Sequence, residues 1–377
     1  MSIKMTAQTL AFSKDNGLEN LFAQFADYWN HYRSMNSLAP KGKTLEFATV
    51  DSEGNPLTFD EKNDRMQKEL VKAVIARSNV PYAAESSVDL WFNHPNVIYE
   101  TFAIVSQLID FILPQTVIDS IGMYTDVKVG GWGDSFAFNI KPRDIFTVSL
   151  AGHSQRTAEM HKQFTGQKTV IPENHQISVV VSLYKILSGA ESLAEFTAKA
   201  VRAIETDMTL DAYTLFAATM AAVDSTATTG LLVSGYTAAS LLRVCQQVEA
   251  WNAGARPIVM GTAIALLSVL PDDANYRYDL ESNYVKMGYV RTMHGYDLMQ
   301  VPQVADRDTP FGRAIANDRV WIVSPSSDKI LKLCIEGNTI SNTTGTFDNA
   351  DLSQSTTFMK LWKVAVATNA VAGIITL

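Results

Sequence analysis

The sequence predicts an α+β chain, and three observations along its second half lead there. A polar-tipped β-hairpin pattern covers about Gly130–Tyr184, and one long amphipathic helix, about Ser192–Val223, follows it directly. A compact α/β stretch comes next, and the chain closes on an apolar strand, Leu361–Leu377. A free hairpin is only marginally stable, so one this long must lie on another surface. A helix of ~30 residues spans ~45 Å at 1.5 Å per residue, more than most single domains are wide. Such parts suit a subunit that builds with copies of itself better than one that encloses a substrate.

Composition narrows the class. The chain has 377 residues, enough for two or three domains and a sizeable core. Apolar residues make up 47% and charged residues 19%, the balance of a globular protein. Thirty-one basic against 39 acidic side chains leave a net charge of −8. That argues against a protein whose main task is gripping phosphate backbone. Cys245 and Cys334 are the two cysteines, each in an apolar run, and they read as buried reduced thiols rather than a metal or redox motif. The N-terminus lacks the apolar run of a signal peptide, and stretches such as Phe102–Leu113, which carries Asp110, are read as too short to cross a bilayer. The expectation is a soluble intracellular chain, in which the sequon Asn342-Thr343-Thr344 has no meaning.

In chain order, residues 1–60 read as an irregular arm containing one aromatic helix. There Phe22, Phe25, Tyr28, Trp29 and Tyr32 recur at helical spacing within Leu18–Tyr32. Asp60–Ser78 is an amphipathic helix with Met66, Leu70, Val71, Val74 and Ile75 on one face, stopped by Asn79-Val80-Pro81. Leu90–Ile121 is apolar and helical, with breaks expected at Pro95 and Pro114. Gly130, Gly131 and Gly133 open the hairpin, whose outgoing strand runs from Asp134 to Leu150, whose polar tip is Ala151–Lys168 and whose return strand is Gln176–Ile186.

In the long helix, Leu193, Phe196, Ala200, Ile204, Met208, Ala212, Leu215 and Ala222 form the seam, and Glu195, Lys199, Arg202 and Glu205 lie off it. Beyond the Ser225–Gly230 linker come a helix at Thr237–Trp251, a hinge at Asn252–Arg256 and a buried strand, Arg256–Gly261. A short helix, Thr262–Leu270, and strands at Tyr289–Pro302 and Arg319–Ser324 follow.

Catalytic constellations are missing. Gly130-Gly131-Trp132-Gly133 has the glycines of a phosphate loop but neither its Lys-Ser/Thr pair nor a following helix, so a turn is expected. Gly152-His153-Ser154 lacks the second glycine of a nucleophile elbow, because Arg156 stands there. His153, Glu159 and His161 match no standard metal spacing, and His31, His94, His175 and His294 are isolated in the sequence. Asp272-Asp273 and Asp306-Arg307-Asp308 read as surface turns. No enzyme, cofactor or metal is expected.

The order of these parts over roughly residues 100–377 resembles the major capsid proteins of tailed bacteriophages, the Hong Kong 97-like capsid fold that encapsulin shells share. Gly133-Asp134-Ser135-Phe136 through Val181–Leu187 is similar to the extended loop with its flanking strands, and Leu193–Val223 to the spine helix. Arg256–Gly261 and Val290–Pro302 resemble the strands of the axial domain, while Asp318–Val323 and Trp362–Leu377 resemble strands returning to the peripheral domain.

The resemblance implies an arm and helical segment at 1–125, an extended loop at 126–186 and a peripheral domain with the spine helix at 187–235. It further implies an axial domain at 236–350 and a returning strand at 351–377. It implies a structural subunit that self-assembles as hexamers and pentamers into an icosahedral shell around packaged double-stranded DNA, with scaffold and portal proteins as partners and the virion, assembled in the host cytoplasm, as location. Loop residues Arg143, Arg156, Lys162 and Lys168 and helix residues Glu195, Lys199 and Arg202 become the candidate subunit-interface residues. The alternative is an encapsulin-like compartment around an enzyme cargo, and the long N-terminal segment favours the phage reading. An oligomeric enzyme, with the His153/His161 tip as its foothold, is the reading from another class.

Overall fold

A computed structural model describes residues 11, 13–36, 57–79, 95–121, 125–140, 166–182, 185, 191–224, 230–270, 289–301, 303, 309, 311–313, 315–324, 328–343, 353–368 and 370–377. Helices α1 (Glu19–Asn36), α2 (Phe59–Ser78) and α3 (Pro95–Ile121) precede strands β1 (Thr125–Gly130), β2 (Phe136–Ile140), β3 (Gly166–Val170) and β4 (Glu173–Ser182). The long helix α4 (Leu193–Asp224) follows, then β5 (Leu232–Ser234), α5 (Ala238–Trp251), β6 (Ile258–Gly261) and α6 (Ala263–Leu267). The remaining strands are β7 (Thr292–Met293), β8 (Tyr296–Gln300), β9 (Arg319–Val323), β10 (Leu331–Thr343), β11 (Ser353–Val366) and β12 (Gly373–Thr376).

The strands form a four-stranded sheet in the order β1-β10-β11-β4, a six-stranded sheet in the order β5-β12-β9-β6-β8-β7, and the β2-β3 ribbon. In the first sheet β1 runs parallel to β10, while β11 is antiparallel to both β10 and β4. Helix α3 packs on β1 and β10 and α4 on β11, with α1 and α2 stacked on those two helices. Along β11 the side chains alternate, so that Thr356, Phe358, Lys360 and Trp362 are buried toward the helices. The Phe358 ring lies 6.3 Å from Phe102 of α3 and 6.1 Å from Phe196 of α4. Cys334 of β10 is buried on the opposite face, among Phe136, Phe138 and Val170 of the ribbon. The ribbon therefore sits on the sheet surface that the helices leave open.

Local signals explain the helix ends. Thr58 caps α2: its hydroxyl accepts from the Glu61 N–H, and the Glu61 carboxylate accepts from the Thr58 N–H at 2.8 Å. Asn79, at φ 51°, ends the helix in the left-handed conformation. Pro95 opens α3, where its missing N–H costs nothing.

Pro114 does not break α3, contrary to the sequence expectation. An interior proline costs ~3 kcal/mol, but Leu108, Ile109, Ile112, Leu113 and Val117 around it are almost fully buried. Each contributes ~1.5–3 kcal/mol, so packing outweighs the lost bond. The uninterrupted helix also corrects the length estimate, because Asn96–Pro114 is long and apolar enough to cross a membrane. That window is 72% buried inside the chain, which marks it as a core helix.

Three strand expectations change. The return strand of the hairpin is β3, in register Phe136↔Val170 to Ile140↔Gly166, so the end of the expected polar tip is strand. The segment expected to return, Gln176–Ile186, is largely β4 and pairs with β11 instead. Alternation shows that a strand has two faces but does not choose its partner. The closing Leu361–Leu377 is two strands: β11 stays in the first sheet, and β12 joins the second between β5 and β9. Asn252 fixes that crossing, its amide donating to the Val371 carbonyl at 2.8 Å and its oxygen accepting from the Val371 N–H at 2.9 Å.

Sheet pairing thus divides the C-terminal third differently from the expected boundaries at 236–350 and 351–377. β9 belongs with β6 and β12, while β10, which the sequence reading did not assign, is the centre of the first sheet.

β10 escaped notice because its pattern is broken by Lys332, Glu336 and a polar tail. Lys332 is nonetheless buried, its ammonium 2.8 Å from Asp328. At Gly337, φ +61°, the register with β11 shifts between Glu336 and Ile340, leaving a bulge opposite Lys360. A Cβ on Gly337 would fall 2.4 Å from the Trp132 indole, so both the backbone and the space require glycine.

Asp110 of α3 satisfies the bulge, accepting from the Thr339 N–H and the Thr339 hydroxyl at 2.6 Å each. The Lys360 ammonium donates to Asp110 and to the Gly337 carbonyl, also at 2.6 Å. Asp110, Thr339 and Lys360 are all under 5% exposed.

Lys360→Met should therefore cost ~3–5 kcal/mol in urea unfolding, the cost of leaving a buried carboxylate unpaired. Lys363→Met, on the exposed pair with Glu173, should leave the midpoint unchanged. Burial pushes the Cys245 thiol up to about 12 and the Cys334 thiol up to about 11, from an ordinary value of about 9. Neither thiol should react with a disulfide reagent in the native chain near neutral pH, and both should react in urea. Because these pKa values are raised on folding, the associated stability is intact below pH 9 and is lost as pH rises toward 11–12.

Candidate assembly surface

The glycine-rich turn between β1 and β2 closes the base of the extended loop, as a turn and not a phosphate cradle. Its amides are occupied by carboxylates: Gly131 N–H donates to Asp134 at 2.6 Å and Gly133 N–H to Glu336 at 2.7 Å. Trp132 lies against Gly337, so the turn is clamped onto the bulge of β10. From there the ribbon runs outward, with Phe136 and Phe138 turned into the sheet and Lys168 exposed on β3 across from Phe138. Arg143, Arg156 and Lys162, with the tip residues His153, Glu159 and His161, lie outside the described residues.

The spine helix is anchored at its first turn. The Ser192 hydroxyl donates to Asn63 at 2.6 Å and accepts from the Glu195 N–H at 3.3 Å, while the Leu193 N–H donates to Gln67 at 3.0 Å. Its buried side is wider than the expected seam, adding Ala194, Ala198, Val201, Tyr213 and Phe216. Near its end, the Phe216 ring meets Trp321 of β9 edge-on at 5.8 Å, so one helix links the two sheets.

On the outer side, Glu195 and Lys199 pair at 2.7 Å as an i,i+4 ion pair. The Glu195 hydrogen bond raises the Lys199 ammonium above its ordinary value. Arg202 stands exposed one turn further on, and Glu205 is half-buried, 3.7 Å from Arg33. The structure therefore brings Glu195, Lys199 and Arg202 together on one face of α4, with Lys168 on a separate element.

Sequence reasoning missed the exposed apolar side chains. Ile171, at the corner between β3 and β4, and Val180, on the outer face of β4, are 76% and 68% exposed. Tyr99, Trp251, Ile264, Leu267 and Phe311 are also exposed, and Phe311 holds φ +59°. These side chains lie on different elements rather than in one patch. The period-two pattern of β4 was visible; that Val180 on its outer face would stand exposed was not.

One isolated histidine of the sequence reading is not isolated in the fold. His175 stacks on Trp362 with ring centroids 3.7 Å apart and faces Asp207 of α4. A cleft bordered by described residues lies between the start of α1 and α2, among Asp15, Leu21, Glu69, Lys72 and Arg77. Arg77 there is engaged by Glu100 at 2.6 Å.

No curated protein sequence matches the chain. Among solved structures it is similar to the mature capsid of bacteriophage PhiM1, at 10% identity and a TM-score of 0.44 over 67% of this chain and 85% of that one. It is also similar to the capsid of a native GTA particle, at 11% identity and a TM-score of 0.46 over 70% and 90%. A third is the capsid of the cyanophage P-SCSP1u, at 8% identity and a TM-score of 0.45 over 67% and 86%. The assignment rests on the family match instead, which runs over residues 34–376 to the family described as “SPbeta prophage-derived putative capsid protein YonB”. That match covers nearly the whole α+β architecture, from α2 to the last strand, and the chain belongs to this family of phage capsid proteins.

Proposed function

We propose that the chain is a major capsid subunit of Hong Kong 97-like design, a structural and non-catalytic protein that assembles into hexamers and pentamers of an icosahedral shell. The observation that carries this reading is the capsid-family match across residues 34–376. The geometry is compatible with it. Two sheets bridged by one helix carry a ribbon whose described strands end at Ile140 and begin again at Gly166.

In this reading the four-stranded sheet with α4 forms the peripheral part and the six-stranded sheet with α5 the axial part. The loop, including Arg143, Arg156, Lys162 and Lys168, lies on a neighbouring subunit, and the face bearing Glu195, Lys199 and Arg202 receives a neighbour's loop. A ring of such contacts pairs two different patches and closes when the rotation allows. Many weak contacts then add by multivalency.

The net charge of −8 suits a shell that holds double-stranded DNA without gripping it. Scaffold and portal proteins would be the assembly partners, the host cytoplasm the place of assembly and the virion capsid the final location.

Negative-stain electron microscopy and light scattering of the purified chain, alone and with its candidate scaffold, test this directly. Closed polyhedra or capsomer rings are expected, and a persistent monomer under both conditions overturns the reading. Deleting residues 145–161 with a short linker should leave a folded, soluble chain that no longer forms shells; normal shells would remove the loop from the contact. Lys168→Glu and Arg202→Glu should each lower shell yield several-fold with an unchanged melting temperature. Lys199→Ala should have less effect, because Glu195 already occupies that lysine.

A further inference from the structure

Helix α4 places Asp207 and Asp211 four residues apart, on the side that faces β4 and β11. His175 of β4 comes to the same point. Its register partner is Lys360 of β11, whose side chain is buried on the helix-facing side of the sheet, so His175 projects toward α4. Its Nδ1 lies 3.6 Å from Asp207 Oδ2. One ligand atom from each of His175, Asp207 and Asp211 lies within 4.8 Å of the other two, and all three side chains are half-buried.

Trp362 holds two of the three in place. Its ring lies flat on the imidazole, 13° from parallel, and its indole N–H donates to Asp211 Oδ2 at 3.2 Å. That is how supporting residues orient metal ligands: one partner fixes the plane of a histidine and the rotamer of a carboxylate. Glu173 nearby is taken by Lys363, whose hydrogen bond keeps its carboxyl below the ordinary range.

The His175–Asp207 spacing is that of a loose ion pair and also leaves room for an ion between the two groups. An N–H···O hydrogen bond spans ~2.7–3.2 Å, and the 3.6 Å gap exceeds it. Two ligands of a tetrahedral ion bound at ~2.0–2.1 Å stand ~3.4 Å apart, close to what is observed. Asp211 stands within 4.8 Å of the other two ligand atoms, so closing on a shared ion requires its carboxylate to turn while Oδ2 keeps the Trp362 N–H.

We propose that His175, Asp207 and Asp211 form a binding site for a divalent transition metal, of the zinc, cobalt or manganese class that one imidazole and two carboxylates favour. The bound ion would pin the spine helix to strand β4, next to where the chain leaves the β2–β3 ribbon. This site does not depend on the shell reading.

The test uses the full chain, stripped with EDTA and dialysed, and cobalt(II) as the probe. One equivalent of cobalt should give the visible absorption of a low-coordinate ion, be displaced by zinc and raise the melting temperature. Asp207→Asn should weaken binding at least tenfold, and Asp207→Asn with Asp211→Asn should abolish it. Asparagine keeps the shape and the acceptor for Trp362, so both variants should melt with the parent chain in EDTA. A parent chain indifferent to cobalt, or a double variant that binds it as tightly, would overturn the site and leave an ion pair between His175 and Asp207.

Discussion

A buried carboxylate holds the two layers of this fold in register. Asp110 sits in a strongly apolar helix and meets the bulge of the central strand at Gly337–Thr339, where its register with β11 shifts. It accepts from Thr339 twice, and Lys360 closes the circuit by binding both Asp110 and the Gly337 carbonyl. Alone, each of these groups would carry a desolvation cost of several kcal/mol. Together they fix where α3 lies along β10 and β11, because a shift by one residue would strand all of them. Apolar packing supplies the affinity between helix and sheet, and the ionic cluster supplies the position.

From that position the rest of the architecture follows. With α3 set on β10, α4 packs across β11, and its length carries it from the Asn63 and Gln67 anchors to Trp321 of the second sheet. The bulge also shapes the far face. Glycine at 337 makes room for Trp132, which seats the turn that launches the extended ribbon. One local irregularity in β10 therefore positions the core helix on one side and the loop base on the other.

The outer surface has a different character from this core. Exposed ion pairs such as Glu195–Lys199 contribute little to folding, and the exposed Ile171 and Val180 gain nothing while uncovered. A subunit whose stability comes from a locked interior and whose surface carries many small unspent contacts is suited to repeated, individually weak association. That division matches membership in a capsid family.

The helices and the family likeness were legible in the sequence, because apolar spacing and the Asn79-Val80-Pro81 stop are local signals. The bounds of α2 and α4 agree with that reading to within a residue. Strand partners were not legible: β4 and β3 exchanged roles, the closing segment split between two sheets, and β10 went unassigned. Alternation records a two-faced strand and is silent on its neighbour, and a strand whose bulge is satisfied by residues more than 20 positions away looks like a loop when read alone. His175 shows the same limit at the scale of one side chain, since Asp207, Asp211 and Trp362 reach it only through the packing of α4 on the sheet. The sequence by itself determined the α+β class, the long helix and the glycine-opened loop; the tertiary structure alone decided the sheet order and the polar clusters, because both depend on long-range pairing of groups that carry no local periodic signal.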